Sequence, residues 1–170
     1  MHIEITGRMT GKTERLLKEA NKRLDEGVEV VIVLAVPASK DFRWLIDEIA
    51  KKVPGSYVIS YELLNEKNRS HLQTDIQVQL AKLERDQDVV WFFDEFDWYE
   101  NQEHIQIRQN AYYATTPRPG FDLMNALSDR LIGQLLNKAE TFVDTVVVMP
   151  CNSVLRADGM DFWGVDYAQA

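Results

Sequence analysis

Cysteine is almost absent from the sequence, and long apolar runs are missing altogether. Cys151 is the only cysteine among 170 residues, so we expect neither an internal disulfide nor a zinc site built from several cysteines. No apolar stretch approaches the roughly 20 residues that a helix needs to cross a bilayer. The N-terminus also lacks the charged and then apolar segments of a secretory signal. We therefore expect no membrane association and, by default, a cytoplasmic location.

Positive charge is the second shortage. The chain has 19 Lys and Arg residues against 27 Asp and Glu residues, a formal net charge of −8. Phosphate contacts need clustered cations, so this balance argues against a protein that binds nucleic acid over its whole surface. A local basic strip is still compatible with it, because five cations fall close together: Lys12, Arg15, Lys18, Lys22 and Arg23. Their alternation with acidic residues favours an ordinary solvated helix face.

What remains is the composition of one globular domain. At 170 residues and 45% hydrophobic content, the chain is long enough for one substantial core. Apolar strand-like runs alternate with stretches whose apolar residues recur at helical spacing. The predicted strands cover residues 3–5, 28–36, 56–60, 89–95, 111–115 and 145–149, and the predicted helices cover residues 13–24, 39–53, 72–83 and 123–135. This alternation predicts a doubly wound α/β sheet of parallel strands.

Single residues indicate several boundaries within this pattern. Gly27 stands where a helix C′ glycine belongs, and Ser39 is a candidate N-cap for the second helix. Residues 61–71 are polar and irregular, so we expect a mobile loop there. We expect residues 1–150 to form the core and residues 151–170 to form a tail that packs on it, within a single domain.

The first strand runs into a loop with the features of a P-loop. Gly11 lets the backbone approach a phosphate, successive N–H groups cradle its oxygens, Lys12 reaches the β- and γ-phosphates, and the Thr13 hydroxyl ligates Mg²⁺. The predicted nucleotide-binding residues are Thr6, Gly7, Arg8, Met9, Thr10, Gly11, Lys12, Thr13 and Glu14. In the pattern G-x-x-x-x-G-K-[ST] the first glycine falls on Thr6, with Gly7 one place late. Either Thr6 takes that turn position, or the loop is one residue short.

Two further strands end in polar residues. Asp94 and Glu95 close one apolar strand, and Thr115 and Thr116 close the next. Ligands of parallel α/β sheets bind at the carboxyl ends of the strands, so we expect these residues and the loop to share one rim. An ATP·Mg²⁺ complex needs a metal held between hydroxyl and carboxylate, and a group that orients the attacking water. We predict that Thr13 and Asp94 hold Mg²⁺ and that Glu95 acts on the water.

Other roles at this rim stay open. Thr115 and Thr116 are sensor candidates for the γ-phosphate, although turn residues before a proline have the same appearance. Arg118 is a further sensor candidate, and Arg8 joins Lys12 and Glu95 as a catalytic candidate because a cation can stabilise transition-state charge. For either arginine, a plain surface position is the alternative.

The pairing of this loop with an Asp-Glu strand end resembles the additional-strand, catalytic-glutamate group of P-loop ATPases, which includes RecA-like motors, helicases and viral packaging enzymes. Residues 8–13 are similar to the Walker A motif of terminase large subunits, with Arg8 four residues before Lys12. Asp94-Glu95 matches their Walker B acid and catalytic glutamate, and Thr115-Thr116-Pro117 is similar to their coupling motif.

This resemblance implies a three-layer α/β/α P-loop NTPase fold with a mainly parallel central sheet. It implies ATP and Mg²⁺ as cofactors, and hydrolysis that drives or switches a nucleic-acid or protein partner. A phage origin, hence the host cytoplasm, and a homo-oligomer are part of the same expectation. Since the stimulating arginine of such enzymes often comes from another molecule, we expect weak basal turnover that a partner or self-assembly raises.

A second resemblance implies a different activity. Residues 9–17 and the Asp94-Glu95 pair are similar to type II thymidine kinases, in which the glutamate is the base. A thymidine-kinase-like nucleoside kinase is therefore one alternative, and a nucleotide-binding module without turnover is another.

Overall fold

The computed structural model describes residues 1–99, 105–116, 135 and 145–148. The strands in these ranges are β1 (His2–Ile5), β2 (Val30–Leu34), β3 (Tyr57–Ser60), β4 (Val90–Asp94), β5 (Ala111–Thr115) and β6 (Thr145–Val148). The α-helices are α1 (Lys12–Asp25), α2 (Arg43–Lys52) and α3 (Thr74–Arg85). Arg118, the helix predicted over residues 123–135 except for Leu135, and the tail from residue 151 lie outside the described residues.

The six strands form one sheet in which each neighbouring pair runs parallel. Their order is β3-β2-β4-β5-β1-β6, so that β5 lies between β1 and β4. Because all strands point the same way, their carboxyl ends meet at one edge of the sheet. The expected α/β architecture with a parallel sheet is therefore confirmed.

Helices cover both faces of the sheet, which explains why the central strands are apolar throughout. All five residues of β2 are buried, as expected for a strand that packs on both sides. On one face, Leu16 and Ala20 of α1 and Ile49 of α2 pack against β2, β4 and β5. On the other face, Leu80 and Leu83 of α3 pack against a second set of strand residues.

The end of α1 follows the predicted glycine signal. Gly27 has a left-handed φ of 81°, and its N–H donates to the Leu24 carbonyl at 2.9 Å. The Val28 N–H donates to the Arg23 carbonyl at 3.0 Å. These two bonds form a Schellman motif, which satisfies carbonyls that the helix leaves unpaired.

Two local predictions need correction. Ser39 does not cap α2: it precedes a 3₁₀-helix, Lys40–Phe42, makes no side-chain capping bond there, and α2 begins only at Arg43. Residues 61–71 are not an irregular loop, because they form two 3₁₀-helices, Tyr61–Leu64 and Glu66–Arg69. Arg69 is buried and donates to the carbonyls of Leu63 and Leu64 and to the carboxylate of Glu84 on α3. A buried cation needs such partners, and sequence periodicity does not reveal them.

None of the helices in the described ranges is both long enough and apolar enough to span a bilayer.

Candidate functional site

Three strand ends and the start of α1 meet at the carboxyl edge of the sheet. The Thr6 N–H donates to the Thr115 carbonyl at 3.1 Å, which joins the ends of β1 and β5. The Thr13 hydroxyl on α1 donates to Asp94 at the end of β4, 3.2 Å from each carboxylate oxygen. Residues that lie 81 positions apart in the chain therefore share one site, as the parallel sheet predicts.

In the loop between β1 and α1 (residues 6–11), the sign of the backbone angle φ alternates along the chain. Met9 and Gly11 have positive φ values of 59° and 75°, whereas Arg8, Thr10 and Lys12 do not. Such alternation turns successive N–H groups towards one point and makes a concave anion-binding nest. The left-handed positions fall on Met9 and Gly11 rather than on Thr6 or Gly7, both of which are buried. The backbone of the loop is thus suited to an anion such as phosphate.

Lys12 and Glu95 form a close ion pair. The Lys12 ammonium lies 2.5 Å from Glu95 Oε1, and the side chains are 7% and 29% exposed. Glu95 directly follows β4 and has a left-handed φ of 51°, a conformation that is uncommon for residues other than glycine. Strained backbone of this kind is frequent at functional sites.

Glu95 also binds the end of β5. Its Oε2 accepts the Thr116 N–H at 2.6 Å, and its Oε1 accepts the Thr116 hydroxyl at 2.9 Å. Thr115 is buried and turned elsewhere: its hydroxyl accepts the Asp97 N–H at 3.3 Å and donates to the Thr116 carbonyl. Of the two threonine sensor candidates, Thr116 is the one that hydrogen-bonds to Glu95.

Asp94 has an unusual protonation equilibrium. Burial raises the pKa of its carboxyl to about 6, and the neighbouring Glu95 charge acts in the same direction. The Lys12 charge and the hydrogen bond from Thr13 oppose the rise without cancelling it. A carboxyl of this kind is about half deprotonated near pH 6 and is mainly ionised at neutral pH.

The Thr13–Asp94 pair fits the predicted Mg²⁺ ion. Hydroxyl and carboxylate oxygens are the ligand types that Mg²⁺ takes, usually one or two from the protein together with phosphate oxygens and water. In the described part of the chain, this site included, no group of three or more His, Cys, Asp or Glu side chains is arranged to hold a metal. The pair therefore suits a metal that arrives with a phosphate ligand.

The remaining predicted residues lie around this centre. Arg8 is exposed, with its guanidinium carbon 5.9 Å from the ring centroid of Trp98. The Trp98 indole N–H in turn donates to the Thr116 carbonyl at 2.7 Å. Met9 is fully exposed at the loop tip, and Glu14 is exposed in the first turn of α1.

Sequence reasoning misses a buried network beneath the loop. The Glu4 carboxylate on β1 accepts hydrogen bonds from Arg15, Tyr112 and Thr6. The Arg15 side chain is 45% exposed, as expected for a solvated helix charge, but it also forms an ion pair with Glu4, whose side chain is 2% exposed. β1 alternates polar and apolar residues, His2-Ile3-Glu4-Ile5, so the sequence gives no signal that Glu4 is buried.

A cavity of about 850 Å³ lies at the opposite edge of the sheet. Its lining includes His2 and Tyr112 at the amino ends of β1 and β5, together with Lys18 and Lys22 of α1. The lining of this cavity includes neither the loop at residues 6–11 nor Asp94 and Glu95. The carboxyl edge of the sheet is therefore the better candidate for an active site.

A scan against protein-family models and a search of curated proteins both gave no match to this chain.

Proposed function

We propose that this chain is a P-loop ATPase with a three-layer α/β/α fold, which binds ATP with Mg²⁺ and hydrolyses it. The observation that carries the proposal is the meeting of Lys12 and Thr13 with Asp94 and Glu95 within hydrogen-bond distance. The sheet supports it, because β1, β5 and β4 are neighbours and run parallel, so their carboxyl ends meet where ligands of such sheets bind.

Each side chain then has a role that its surroundings favour. The nest of N–H groups around Met9 and Gly11 and the Lys12 ammonium bind the phosphates. Thr13 and Asp94 hold Mg²⁺, which when bound neutralises charge on the phosphate oxygens. The Glu95 carboxylate orients the attacking water and accepts its proton. Thr116 holds Glu95 in place through its two hydrogen bonds.

The Lys12–Glu95 pair adds a feature to this scheme. A buried ammonium needs a negative partner, and Glu95 is that partner in the described state. An arriving triphosphate offers Lys12 several negative oxygens, so Lys12 exchanges one partner for another. Glu95 Oε1 then loses its cation and becomes available to water, which links phosphate binding to activation of the base.

The wider role we propose is that of a motor or switch, similar to a terminase or helicase motor domain and of phage origin. Hydrolysis would act on a nucleic-acid or protein partner. We expect slow basal turnover, because the cation that stabilises transition-state charge often comes from a second molecule. Saturating single-stranded or duplex nucleic acid, or self-assembly at high concentration, should therefore raise turnover. Unchanged turnover under all these conditions would contradict the motor role.

Two substitutions test the chemistry. Lys12→Met should abolish MgATP binding in calorimetry, because it removes the phosphate cation. Glu95→Gln should retain binding, and even tighten it because Lys12 loses its competing carboxylate, while phosphate release falls at least 100-fold, in the range expected for loss of a catalytic group. Glu95→Gln with wild-type turnover would show that Glu95 is not catalytic.

The two alternative functions give different products. A nucleoside kinase incubated with ATP and thymidine makes thymidine monophosphate, whereas an ATPase releases inorganic phosphate whether or not thymidine is present. A binding module takes up MgATP in calorimetry and yields neither product.

A further inference from the structure

Beneath the nucleotide loop lies a set of side chains that we name the Glu4 brace: Glu4, Thr6, Thr10, Arg15 and Tyr112. Glu4 is its inner end, 2% exposed within β1. The Tyr112 hydroxyl on β5 donates to Glu4 Oε2 at 2.7 Å, and the Thr6 hydroxyl donates to Oε1 at 3.3 Å. Burial alone would raise the pKa of Glu4, but hydrogen bonds from Arg15 and Tyr112 and the Arg15 charge hold it below its usual value.

Arg15 connects this buried acid to the loop backbone. Nε and Nη2, along one edge of its guanidinium group, donate to the Glu4 carboxylate, while Nη1 donates to the Thr10 carbonyl at 2.6 Å. The side chain passes close to Gly11, since a Cβ at that position would lie 3.3 Å from Arg15 Nη1. Arg15 therefore spans from the sheet interior, across Gly11, to the loop.

Thr6 and Thr10 connect the beginning of the loop to its end. The Thr6 and Thr10 hydroxyls lie 2.8 Å apart, close enough for either to donate to the other, and the Thr10 hydroxyl oxygen lies 2.9 Å from the Gly7 carbonyl oxygen. Thr6 stands where the P-loop pattern has its first glycine, so its side chain gives this position contacts that a glycine lacks. The two ends of the loop are thereby held together by side chains as well as by backbone.

We propose that Glu4 and Arg15 are positioning residues, which hold the loop in its phosphate-binding conformation through the Glu4 brace. This inference rests on the proposed function, because it concerns the same loop. Its physical reason is preorganisation: a loop that is already ordered loses less conformational entropy when a ligand binds, and so binds more tightly. Tyr112 contributes to the same positioning, because its hydroxyl donates to the Glu4 carboxylate and so orients it towards Arg15.

The test compares two arginines of α1. Arg15→Met removes the bridge, and Arg15→Lys keeps the charge but has no planar fork to reach Glu4 and the Thr10 carbonyl together. Arg23→Met is the matched control, because Arg23 pairs only with Glu19 and Glu26 among the ion pairs described on this helix. For each variant, MgATP affinity is measured by calorimetry, and hydrogen exchange of amides 7–11 is measured without nucleotide.

We expect Arg15→Met to weaken MgATP binding at least tenfold and to speed exchange of the loop amides at least tenfold. Arg15→Lys should fall between it and wild type, and Arg23→Met should stay within twofold of wild type. The effects of Glu4→Gln and Arg15→Met should not add, because both break the same bridge. Should either variant fail to fold, Thr10→Val removes the outer hydroxyl bonds without touching the buried acid, and is expected to weaken binding in the same way.

Wild-type affinity in Arg15→Met would overturn the inference and leave the proposed function intact. Faster exchange along the whole chain, in place of a change confined to the loop, would assign the brace to general stability and also overturn it. If wild-type protein takes up no MgATP at all, the proposed function is wrong and the inference falls with it.

Discussion

At the scale of single residues, Asp94 combines a functional position with an unfavourable environment. Its carboxyl is buried beside Glu95, and both effects raise its pKa, from an ordinary 3.8 to about 6. The folded chain therefore holds this proton more tightly than the unfolded chain does. Stability contributed by the protonated form is lost as the pH rises from about 4 to about 6, and it stays lost at higher pH.

Replacing this carboxylate should therefore stabilise the protein without nucleotide. Asp94→Asn retains an acceptor for Thr13 but carries no charge, so we expect its free energy of unfolding at pH 8 to exceed that of wild type by about 2 kcal/mol. At pH 4 the difference should vanish. Urea unfolding in EDTA at both pH values measures it, and MgATP affinity should fall in the same variant.

The control for this prediction is Asp47→Asn, which makes the same change in net charge at an exposed position in the middle of α2. It should leave the free energy of unfolding unchanged at both pH values. If Asp94→Asn is no more stable than wild type at pH 8, the ionised carboxylate is not disfavoured in the fold.

At the scale of elements, a comparison of two glycines distinguishes the effect of backbone conformation from the effect of local crowding. Gly11 opens α1 with a φ of 75°, and a Cβ there would press on Arg15. Gly27 ends α1 with a φ of 81°, and a Cβ there would meet nothing within 4 Å. Both substitutions to alanine place a side chain in the left-handed region, which costs roughly 1–2 kcal/mol.

Alanine at these positions should therefore have similar effects on stability and different effects on binding. Both Gly11→Ala and Gly27→Ala should lower the free energy of unfolding by about 1–2 kcal/mol. Only Gly11→Ala should also weaken MgATP binding, by tenfold or more, because its methyl group presses on Arg15 Nη1, which donates to the Thr10 carbonyl of the loop. Thermal unfolding and calorimetry on the two variants check this. Equal affinities would argue against a ligand at the start of α1.

The elements themselves are predictable from short stretches of sequence. The strand predicted over residues 111–115 coincides with β5. The strand predicted over residues 28–36 contains β2, which is shorter by two residues at each end. Strand and helix periodicity are local properties, and Gly27 is a local signal. Ser39 shows the limit of such signals, since a 3₁₀-helix intervenes before α2.

Side-chain partners are less predictable, because they depend on distant parts of the chain. Tyr112 and Glu4 are 108 residues apart, and Thr13 and Asp94 are 81 apart. The parallel sheet predicts that strand ends meet, but it does not predict that Glu95 turns left-handed towards Lys12. Glu4 at an alternating strand position looks like a solvent-facing acid until the sheet around it is known.

At the scale of the whole molecule, binding at this site should stabilise the entire fold. A ligand that binds only the folded state adds about 2.7 kcal/mol at 100 times its dissociation constant. For a chain of this size, that corresponds to a rise in melting temperature of roughly 5–10 °C. We expect MgATP to produce such a rise in wild-type protein and none in Lys12→Met. An equal rise in both would mean that ATP binds elsewhere.

The place of β1 in the sheet has a consequence for a chain that is still being synthesised. Residues 2–5 leave the ribosome before the other five strands of the described sheet, yet they pair with residues 111–115 and 145–148. β2 pairs with both β3 and β4, and all three of these strands emerge before β5. β1, the first of the six described strands to emerge, therefore has no neighbour in the sheet until β5 is translated. Until then, the sheet does not yet bring Lys12 together with Asp94 and Glu95.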